Sequence, residues 1–182
     1  MPSIHVCSLA RMPDTVAEIG ASHIATLISS GTPVPTPLSI APDDHLTLAF
    51  NDIIEPMEGM VPPGEDHVEA LIDFVRRWDL MRPMVIHCYA GVSRSTAGAF
   101  IALCALDPAA NEADLALELR RRSPSATPNA RMIRIADRIL GRGGRMVAAI
   151  EAIGRGEDAF EGVPFSIAAG RRTGVARAST GG

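Results

Sequence analysis

Short apolar segments, each bounded by Pro, Gly, Asp or Ser, recur through the first half of the chain. Runs of this length that are rich in Ile, Val, Leu and Thr predict β-strands. Four segments have this pattern, at residues 4–9, 23–28, 45–50 and 83–87. The last is an apolar run entered through a proline, which is typical of a buried strand. Between the first two, Asp14–Gly20 predicts a short helix with Asp14 at its N-cap.

Helical spacing replaces the strand pattern after residue 64. Val68, Leu71, Ile72 and Val75 recur at i, i+3, i+4 and i+7, which predicts an amphipathic helix that ends before Pro83. The segment Ser95–Leu106 is apolar on every side and is expected to be a buried central helix. Three further helices are predicted, one opened by Asn111, one opened by Thr127-Pro128, and one at Arg145–Ile153.

Strands that alternate with helices, followed by a run of helices, indicate an α/β fold. We predict a small central sheet of about four to five strands flanked by helices. The stretch 31–44 contains four prolines and is expected to be an exposed loop. The chain after Phe165 has hardly any large apolar residue. The prediction is therefore a single domain at 1–165 and a flexible tail at 166–182.

The amino-acid composition excludes several classes of function. All 17 basic residues of the 182-residue chain are arginines, and neither Lys nor Gln occurs. A chain without Lys has no Walker A nucleotide loop and no Schiff-base lysine. The formal net charge of −4 argues against a nucleic-acid partner, which would need a clustered basic face. The longest uncharged apolar stretch is too short to span a bilayer, so no membrane segment is expected.

The positions of cysteine and histidine set further limits. Cys7, Cys88 and Cys104 lie far apart and form no CxxC pair, so neither a disulfide framework nor a zinc knuckle is indicated. A reducing, cytoplasmic compartment fits this usage best, and the first residues do not resemble a secretory signal. The five histidines are never spaced i, i+4, and we predict neither a metal site nor a cofactor. The sequence leaves the oligomeric state open.

One segment combines residue types with a specific chemical use. It is a cysteine, five intervening residues and an arginine, placed between the predicted buried strand and the predicted buried helix. The backbone amides of 89–94 can curl into an anion-binding nest, and the helix that starts near Ser95 directs its free N–H groups at the same point. Gly91 permits the tight curvature, and Arg94 offers a planar fork that matches two phosphate oxygens. The same groups stabilise a thiolate, so Cys88 is predicted to be a nucleophile.

The pattern His87-Cys88-x-x-Gly91-x-x-Arg94-Ser95 resembles the signature loop of the cysteine-dependent protein tyrosine phosphatase superfamily. The resemblance implies an enzyme that hydrolyses phosphate monoesters through a phosphocysteine, with Cys88 as nucleophile and Arg94 on the phosphate. Ser95 is expected to donate a hydrogen bond to the thiolate as it leaves, and His87 to orient the cysteine loop. The remaining predicted phosphate-binding positions of the loop are Tyr89, Ala90, Gly91, Val92 and Ser93.

The leaving oxygen needs a proton, so the mechanism requires a carboxylic acid on a loop ahead of the signature. The segment Phe50-Asn51-Asp52-Ile53 resembles the general-acid region of the dual-specificity branch, and Asp52 is the candidate acid. It precedes the Pro- and Gly-containing loop 55–64, which can act as a lid. The turn Thr127-Pro128-Asn129 resembles one found downstream in the same branch, and Asn129 is added as a substrate-side residue. Four other acids remain alternatives to Asp52: Asp43, Asp44, Glu55 and Asp66.

Differences from the tyrosine-specific members indicate which branch of the superfamily this chain resembles. Tyrosine-specific members carry a separate Tyr-bearing loop and a water-positioning Gln, whereas this chain has no Gln and its only Tyr is Tyr89. The dual-specificity-like branch is the better match, and the segment 136–145 resembles small bacterial members of it. Between Cys88 and Arg94 the loop has no basic residue, which favours phosphotyrosine or another aryl phosphate over a polyphosphorylated inositol. The expected partner is a phosphorylated protein or a small phosphate monoester.

Two other functions are compatible with a loop of this kind. A catalytically silent phosphate-recognition module would bind phosphorylated partners without turnover; the intact Cys88 and Arg94 and a plausible acid argue against it. A sulfur- or arsenate-handling enzyme would use a similar cysteine loop. Such enzymes generally have a different loop length or additional shuttling cysteines, and neither is evident here.

Overall fold

Five strands form one mixed sheet at the centre of the molecule. The computed structural model describes residues 2–170. The strands are β1 (Ser3–Ser8), β2 (His23–Ile28), β3 (His45–Ala49), β4 (Met84–Cys88) and β5 (Phe165–Ala168). Their order is β3-β2-β4-β1-β5, with β5 antiparallel to β1 and every other neighbouring pair parallel. The predicted α/β architecture with a small central sheet is confirmed.

Six helices surround this sheet in the described part of the chain. They are α1 (Met12–Ile19), α2 (Glu65–Arg77), α3 (Arg94–Leu106), α4 (Glu112–Arg122), α5 (Ala130–Ile139) and α6 (Arg145–Ile153). Helix α3 is buried almost throughout, as its apolar sequence predicts, and it contacts the sheet, α2, α4 and α5. Gly98 allows this close packing, because a Cβ there would lie 2.9 Å from Leu27 Cδ1. No helix within residues 2–170 combines the length and the apolar character that a bilayer crossing requires.

Strand register places the predicted site at one edge of the sheet. Ser8 of β1 lies opposite Cys88 of β4, and Thr26 of β2 lies opposite His87. Because β1, β2 and β4 are parallel, their carboxyl ends meet at the same edge, where α/β proteins commonly bind ligands. The loop that follows Cys88 therefore starts at this edge and leads directly into α3.

Two helix starts differ from the predicted ones. Helix α1 begins at Met12, and Asp14 lies in its first turn; the cap residue is Arg11, whose side chain makes no capping bond. Helix α5 begins at Ala130, and the cap is Asn129, whose side chain accepts hydrogen bonds from two backbone amides. In both cases the proline lies close to the helix start and the exact boundary depends on which backbone donors find a partner. The Asn111 cap of α4 is confirmed.

The prediction that the chain after Phe165 lacks fixed structure is wrong for the first residues of that segment. Residues 165–168 form β5, which pairs with β1 in the register His5↔Ser166 and Ile4↔Ile167. Strand β1 would otherwise present an unpaired edge of backbone donors and acceptors, and β5 satisfies them. Ile167 is buried against the core. The rest of the predicted tail, 171–182, lies outside the described residues.

Candidate active site

Cys88 ends β4, and its sulfur lies at the N-terminal end of α3. The Sγ atom is 3.1 Å from Ser95 Oγ and accepts a hydrogen bond from the Gly91 backbone N–H at 3.3 Å. Gly91 has a φ of +74°, and a Cβ on it would lie 2.8 Å from the carbonyl carbon of Cys7. Only glycine fits both the backbone conformation and the space, so the glycine of the motif is explained by the turn itself.

Arg94 is the first residue of α3, and two protein groups bind its guanidinium through the Nη1 atom. Its Nη1 donates to the Phe50 carbonyl oxygen at 2.7 Å and to Ser29 Oγ at 3.2 Å. The side chain is buried, and Nε has no hydrogen-bond partner among the described residues. A buried N–H without a partner is costly, and an anion bound in the loop is the kind of group that can satisfy it.

Asp52 lies beside the signature loop. Its Oδ1 accepts hydrogen bonds from Ser93 Oγ and from Asn129 Nδ2, both at 2.8 Å. Asn129, predicted as a substrate-side residue, is buried, and its own Oδ1 caps α5. The structure thus connects the signature loop, the candidate acid and the start of α5 through one carboxylate oxygen.

Three of the alternative acids, Asp44, Asp66 and Glu55, lie beside basic side chains outside the signature loop. Asp44 lies 3.4 Å from His23, Asp66 lies 3.7 Å from the neighbouring His67, and Glu55 forms an exposed ion pair with Arg134. Of the five candidates, Asp52 is the one with a side-chain hydrogen bond to the signature loop in the described structure. Asp52 is therefore the candidate acid that lies beside the signature loop.

Helix α5 also holds the loop that follows Asp52. Asn129 Nδ2 donates to the Ile53 carbonyl at 3.3 Å, and Arg131 donates to the carbonyls of Ile54 and Pro63 at 3.3 and 2.8 Å. The predicted lid segment is thereby held at both ends by side chains of α5 and its cap. Sequence reasoning did not identify Arg131, because its partners are backbone oxygens distant in the chain.

His87 is fully buried one residue before the nucleophile candidate. Its Nε2 lies 2.7 Å from Thr26 Oγ1, which in turn lies 2.7 Å from Nε2 of His45. Burial lowers the pKa of His87 to about 4; the backbone of Cys88 opposes this effect and the nearby His45 reinforces it. His87 is therefore a neutral imidazole near pH 7. The predicted role of orienting the cysteine loop requires no charge.

The thiols of the other two cysteines, Cys7 and Cys104, do not have the low pKa that a nucleophilic cysteine needs. All three are free and buried. Burial raises the pKa of Cys7 to about 11 and that of Cys104 to about 12. Thiols with such values carry almost no thiolate at neutral pH and react slowly.

The segment that follows α6 contacts the signature loop at Gly162. The Gly162 N–H donates to the Ala90 carbonyl at 2.8 Å, and Glu161 accepts a hydrogen bond from the buried Ser8. A Cβ at position 162 would lie 2.7 Å from the Gly91 carbonyl oxygen. This support for the loop was not anticipated, because it connects residues that are about 70 positions apart in sequence and joins them through backbone groups.

The candidate acid and the signature loop also border a surface cavity of about 420 Å³. Its lining includes Asp52, Ser93 and Asn129, together with Ile150, Glu151 and Arg155. Tyr89, predicted to bind phosphate, has an exposed side chain, so its contribution to a phosphate site would come from its backbone. Within residues 2–170, no three His, Cys, Asp or Glu side chains are grouped so that they could share a metal ion.

Taken residue by residue, the structure brings most of the predicted site together. Cys88, Gly91, Ser93, Arg94 and Ser95 surround one turn, with Asp52 and Asn129 beside it. Residues missed by sequence reasoning include those that orient these groups: Thr26, Ser29, the Phe50 carbonyl, Arg131 and Glu161. Thr26 carried a signal, since it is the polar residue inside an otherwise apolar strand.

Comparison with known proteins adds information about the fold. No protein-family model matches the chain, and no curated protein matches it significantly. Solved structures do match. DUSP15 is 18% identical, with a TM-score of 0.61, over 84% of this chain and 91% of that one. The PTP-2 phosphatase of Cydia pomonella is 19% identical, with a TM-score of 0.58, over 73% and 83%.

A third match is the human tyrosine phosphatase-like serine/threonine/tyrosine-interacting protein. It is 16% identical, with a TM-score of 0.56, over 75% of this chain and 87% of that one. Its name describes an interacting protein, so the shared fold does not by itself distinguish hydrolysis from binding. At these identities the comparison establishes architecture. The chain therefore has the fold of the protein tyrosine and dual-specificity phosphatases.

Proposed function

We propose that this protein is a metal-independent phosphatase that hydrolyses phosphate monoesters through a phosphocysteine intermediate. The observation that carries the proposal is the position of Cys88 Sγ. It lies 3.1 Å from the Ser95 hydroxyl and 3.3 Å from the Gly91 N–H, at the end of a helix that begins with a buried arginine. These are the groups that stabilise a thiolate and a phosphate dianion in one place. Among the proteins of similar fold, one is named a phosphatase and another a putative dual specificity phosphatase, which supports the same assignment.

The first chemical step transfers the phosphoryl group to Cys88. The thiolate attacks phosphorus in line, the P–O bond to the leaving group breaks, and Asp52 in its acid form gives its proton to the leaving oxygen. Arg94 and the backbone amides of the loop hold the non-bridging oxygens. Because Arg94 Nη1 is already fixed by the Phe50 carbonyl, the guanidinium needs little ordering when phosphate binds.

The second step regenerates the enzyme. Water attacks the phosphocysteine, the Asp52 carboxylate accepts a proton from that water, and the S–P bond breaks to release inorganic phosphate and the Cys88 thiolate. Ser95 donates its hydroxyl proton as a hydrogen bond to the sulfur as negative charge returns to it. Protons balance over the cycle, because Asp52 loses one in the first step and regains one in the second.

We propose aryl phosphates, phosphotyrosine among them, as the substrate class, in a protein of the dual-specificity-like branch. The loop between Cys88 and Arg94 offers backbone donors and the hydroxyls of Tyr89 and Ser93, with no cationic side chain for a second phosphate. The Ser93 hydroxyl already donates to Asp52, and the Tyr89 side chain is exposed. A monoester therefore matches the available donors better than a polyphosphorylated ligand.

The experiment compares the wild-type chain with Cys88→Ser, using p-nitrophenyl phosphate with and without EDTA. We expect EDTA-insensitive turnover by wild type, none by Cys88→Ser, and phosphate or vanadate binding by both. Acid quenching during turnover should trap phosphate on Cys88. Residual hydrolysis by Cys88→Ser would contradict the scheme. Binding without turnover by the wild type would instead identify a phosphate-recognition module.

A further inference from the structure

A second surface cavity lies between the start of α2 and one face of α5. Its volume is about 260 Å³, and it is lined by Gly64, Glu65, Arg131, Arg134, Ile135 and Arg138. None of these residues belongs to the signature loop, and none lines the cavity beside Asp52. A water molecule takes up about 30 Å³ in the liquid, so a phosphate-sized anion fits this space together with part of its hydration shell.

Three arginines give this cavity a positive lining. Arg131, Arg134 and Arg138 follow the spacing i, i+3 and i+7, which places them on one face of α5. Like charges at such spacings repel each other along a helix. The opposite wall is the N-terminal end of α2, where the aligned peptide dipoles disfavour a nearby cation. The arrangement is therefore unfavourable for the folded chain alone, and a bound anion would relieve it.

The carboxylates near these arginines do not neutralise them. Glu65 lines the cavity, and Glu55 lies 3.4 Å from Arg134 Nη2 in an ion pair whose two side chains are largely exposed. An exposed pair at that distance is weak. Within residues 2–170, no carboxylate lies within 4 Å of the Arg131 or Arg138 guanidinium. The three guanidiniums therefore outnumber the two carboxylates that line the cavity or pair with its arginines.

Each guanidinium also keeps donors for a ligand. Arg131 uses Nε for the Pro63 carbonyl and Nη1 for the Ile54 carbonyl, which leaves its Nη2 group. Arg134 uses Nη2 for Glu55, and Arg138 is exposed. A guanidinium presents five N–H donors in a planar fork that matches the oxygens of a phosphate group.

We propose that this cavity is a second anion-binding site, separate from the signature loop, and that Arg131, Arg134 and Arg138 bind a phosphate dianion there. Phosphate free in solution and a phosphoryl group carried by a protein present the same oxygens to the arginines. The site needs neither Cys88 nor turnover, so it stands apart from the proposed phosphatase function.

An anion in this cavity is connected to the loop that follows Asp52. Arg131 binds the carbonyls of Ile54 and Pro63, close to the two ends of that loop, and Arg134 pairs with Glu55 inside it. A bound phosphate competes with Glu55 for Arg134 and gives Arg131 a further partner. Occupancy of the site is therefore expected to change the environment of residues 54–63.

The test titrates the full-length chain with inorganic phosphate at constant ionic strength and follows backbone amide signals by NMR. Signals of residues 89–94 report the signature loop, and those of Glu65, Asp66 and the loop 54–63 report the proposed site. We expect the second group to shift and saturate over a millimolar range of phosphate. Arg138→Met should weaken the affinity seen by that group at least about fivefold and leave the signature-loop affinity unchanged.

Arg77→Met is the matched control. It removes the same charge from an exposed residue in the last turn of α2, outside both cavities, and should change neither affinity by more than about 1.5-fold. A phosphoserine peptide in a parallel titration distinguishes the sources of the phosphate. Tighter binding of the peptide than of inorganic phosphate at this site supports a protein-borne group, and equal affinity supports free phosphate.

Two outcomes would overturn the proposal. Unchanged Glu65 and Asp66 signals over the millimolar range of phosphate would show that the cavity binds no phosphate, and this measurement needs no variant. Equal weakening by Arg138→Met and Arg77→Met would assign the binding to net charge and not to a site. Because the two groups of signals are followed separately, the result stands even where the signature loop binds no phosphate and the phosphatase chemistry is disproved.

Discussion

Asn129 donates from Nδ2 to Asp52 Oδ1 at 2.8 Å while its own Oδ1 accepts the first free backbone amides of α5. One buried amide therefore caps a helix and holds the candidate general acid. An amide suits this position because it presents a donor and an acceptor at once, which neither Asp nor Ser provides in the same geometry. The position of the acid is thus tied to the position of the helix.

Substitutions of Asn129 can separate its role as the cap of α5 from its role as a donor to Asp52. Asn129→Asp keeps an acceptor for the helix amides but loses the donor to Asp52, and its charge repels that carboxylate. We expect the thermal midpoint to stay near wild type while turnover of a poor leaving group falls at least about tenfold. Asn129→Ala loses both roles, and its unfolding free energy should drop by about 1 kcal/mol. Equal activity of Asn129→Asp and wild type would exclude a role for this contact.

Asp52→Asn tests the proton donor directly. Asparagine keeps an oxygen for Ser93 and Asn129 but has no proton to give to a leaving oxygen. Hydrolysis of an alkyl phosphate should slow by about 100-fold or more, whereas an activated aryl phosphate should be affected much less. Glu55→Gln is the matched control at another candidate acid and should leave both rates unchanged. Similar small effects on the two substrates would remove Asp52 from the mechanism.

The buried His87 predicts a pH dependence of stability. Its pKa is lowered to about 4 from an ordinary value of 6.5, so the unfolded chain binds a proton between these values and the folded protein does not. Stability is complete above pH 6.5 and is lost as the pH falls toward 4, by an amount on the order of 3 kcal/mol. Denaturant titrations from pH 7.5 to 4.5 measure the slope. His87→Asn should flatten it, and an identical slope in that variant would assign the effect to other groups.

Gly91 is predicted to be irreplaceable in the loop. Its φ of +74° disfavours any side chain, and a Cβ would meet the Cys7 backbone at 2.8 Å. Gly91→Ala should destabilise the fold and abolish phosphate binding, as measured by calorimetry with inorganic phosphate. Gly59→Ala is the control, because Gly59 has a φ of +75° but open space around it. That variant should lose only about 1 kcal/mol and keep its phosphate affinity.

A buried ion pair away from the site offers a test of stability alone. Arg142 donates to Glu112 Oε1 at 2.8 Å and to the Asp107 carbonyl at 2.9 Å, and both charged side chains are buried. Arg142→Met leaves the Glu112 charge buried with less compensation and should cost about 3–5 kcal/mol of unfolding free energy. Arg145→Met removes the exposed partner of the same carboxylate and should cost less than about 1 kcal/mol. Comparable losses in the two variants would contradict this reading.

The local sequence was sufficient for most secondary structure. The apolar runs that became β1, β2, β3 and β4 were bounded by strong breakers, and α3 was apolar on all sides, so few alternative assignments existed. The failures occurred at helix starts and at β5. Strand β5 has four residues and a weak pattern, and it exists because β1 presents a free edge.

The sequence by itself determined the nucleophile candidate, the arginine and the glycine, since Cys88, Gly91 and Arg94 act within one turn whose geometry is local. Only the tertiary structure decided which acid approaches that turn, what fixes Arg94, and how His87 is held. Asp52, the Phe50 carbonyl and Thr26 reach the site from strands and loops 36 to 62 residues before Cys88. Hydrogen bonds between such distant groups depend on strand register and helix packing, and local propensity does not encode either.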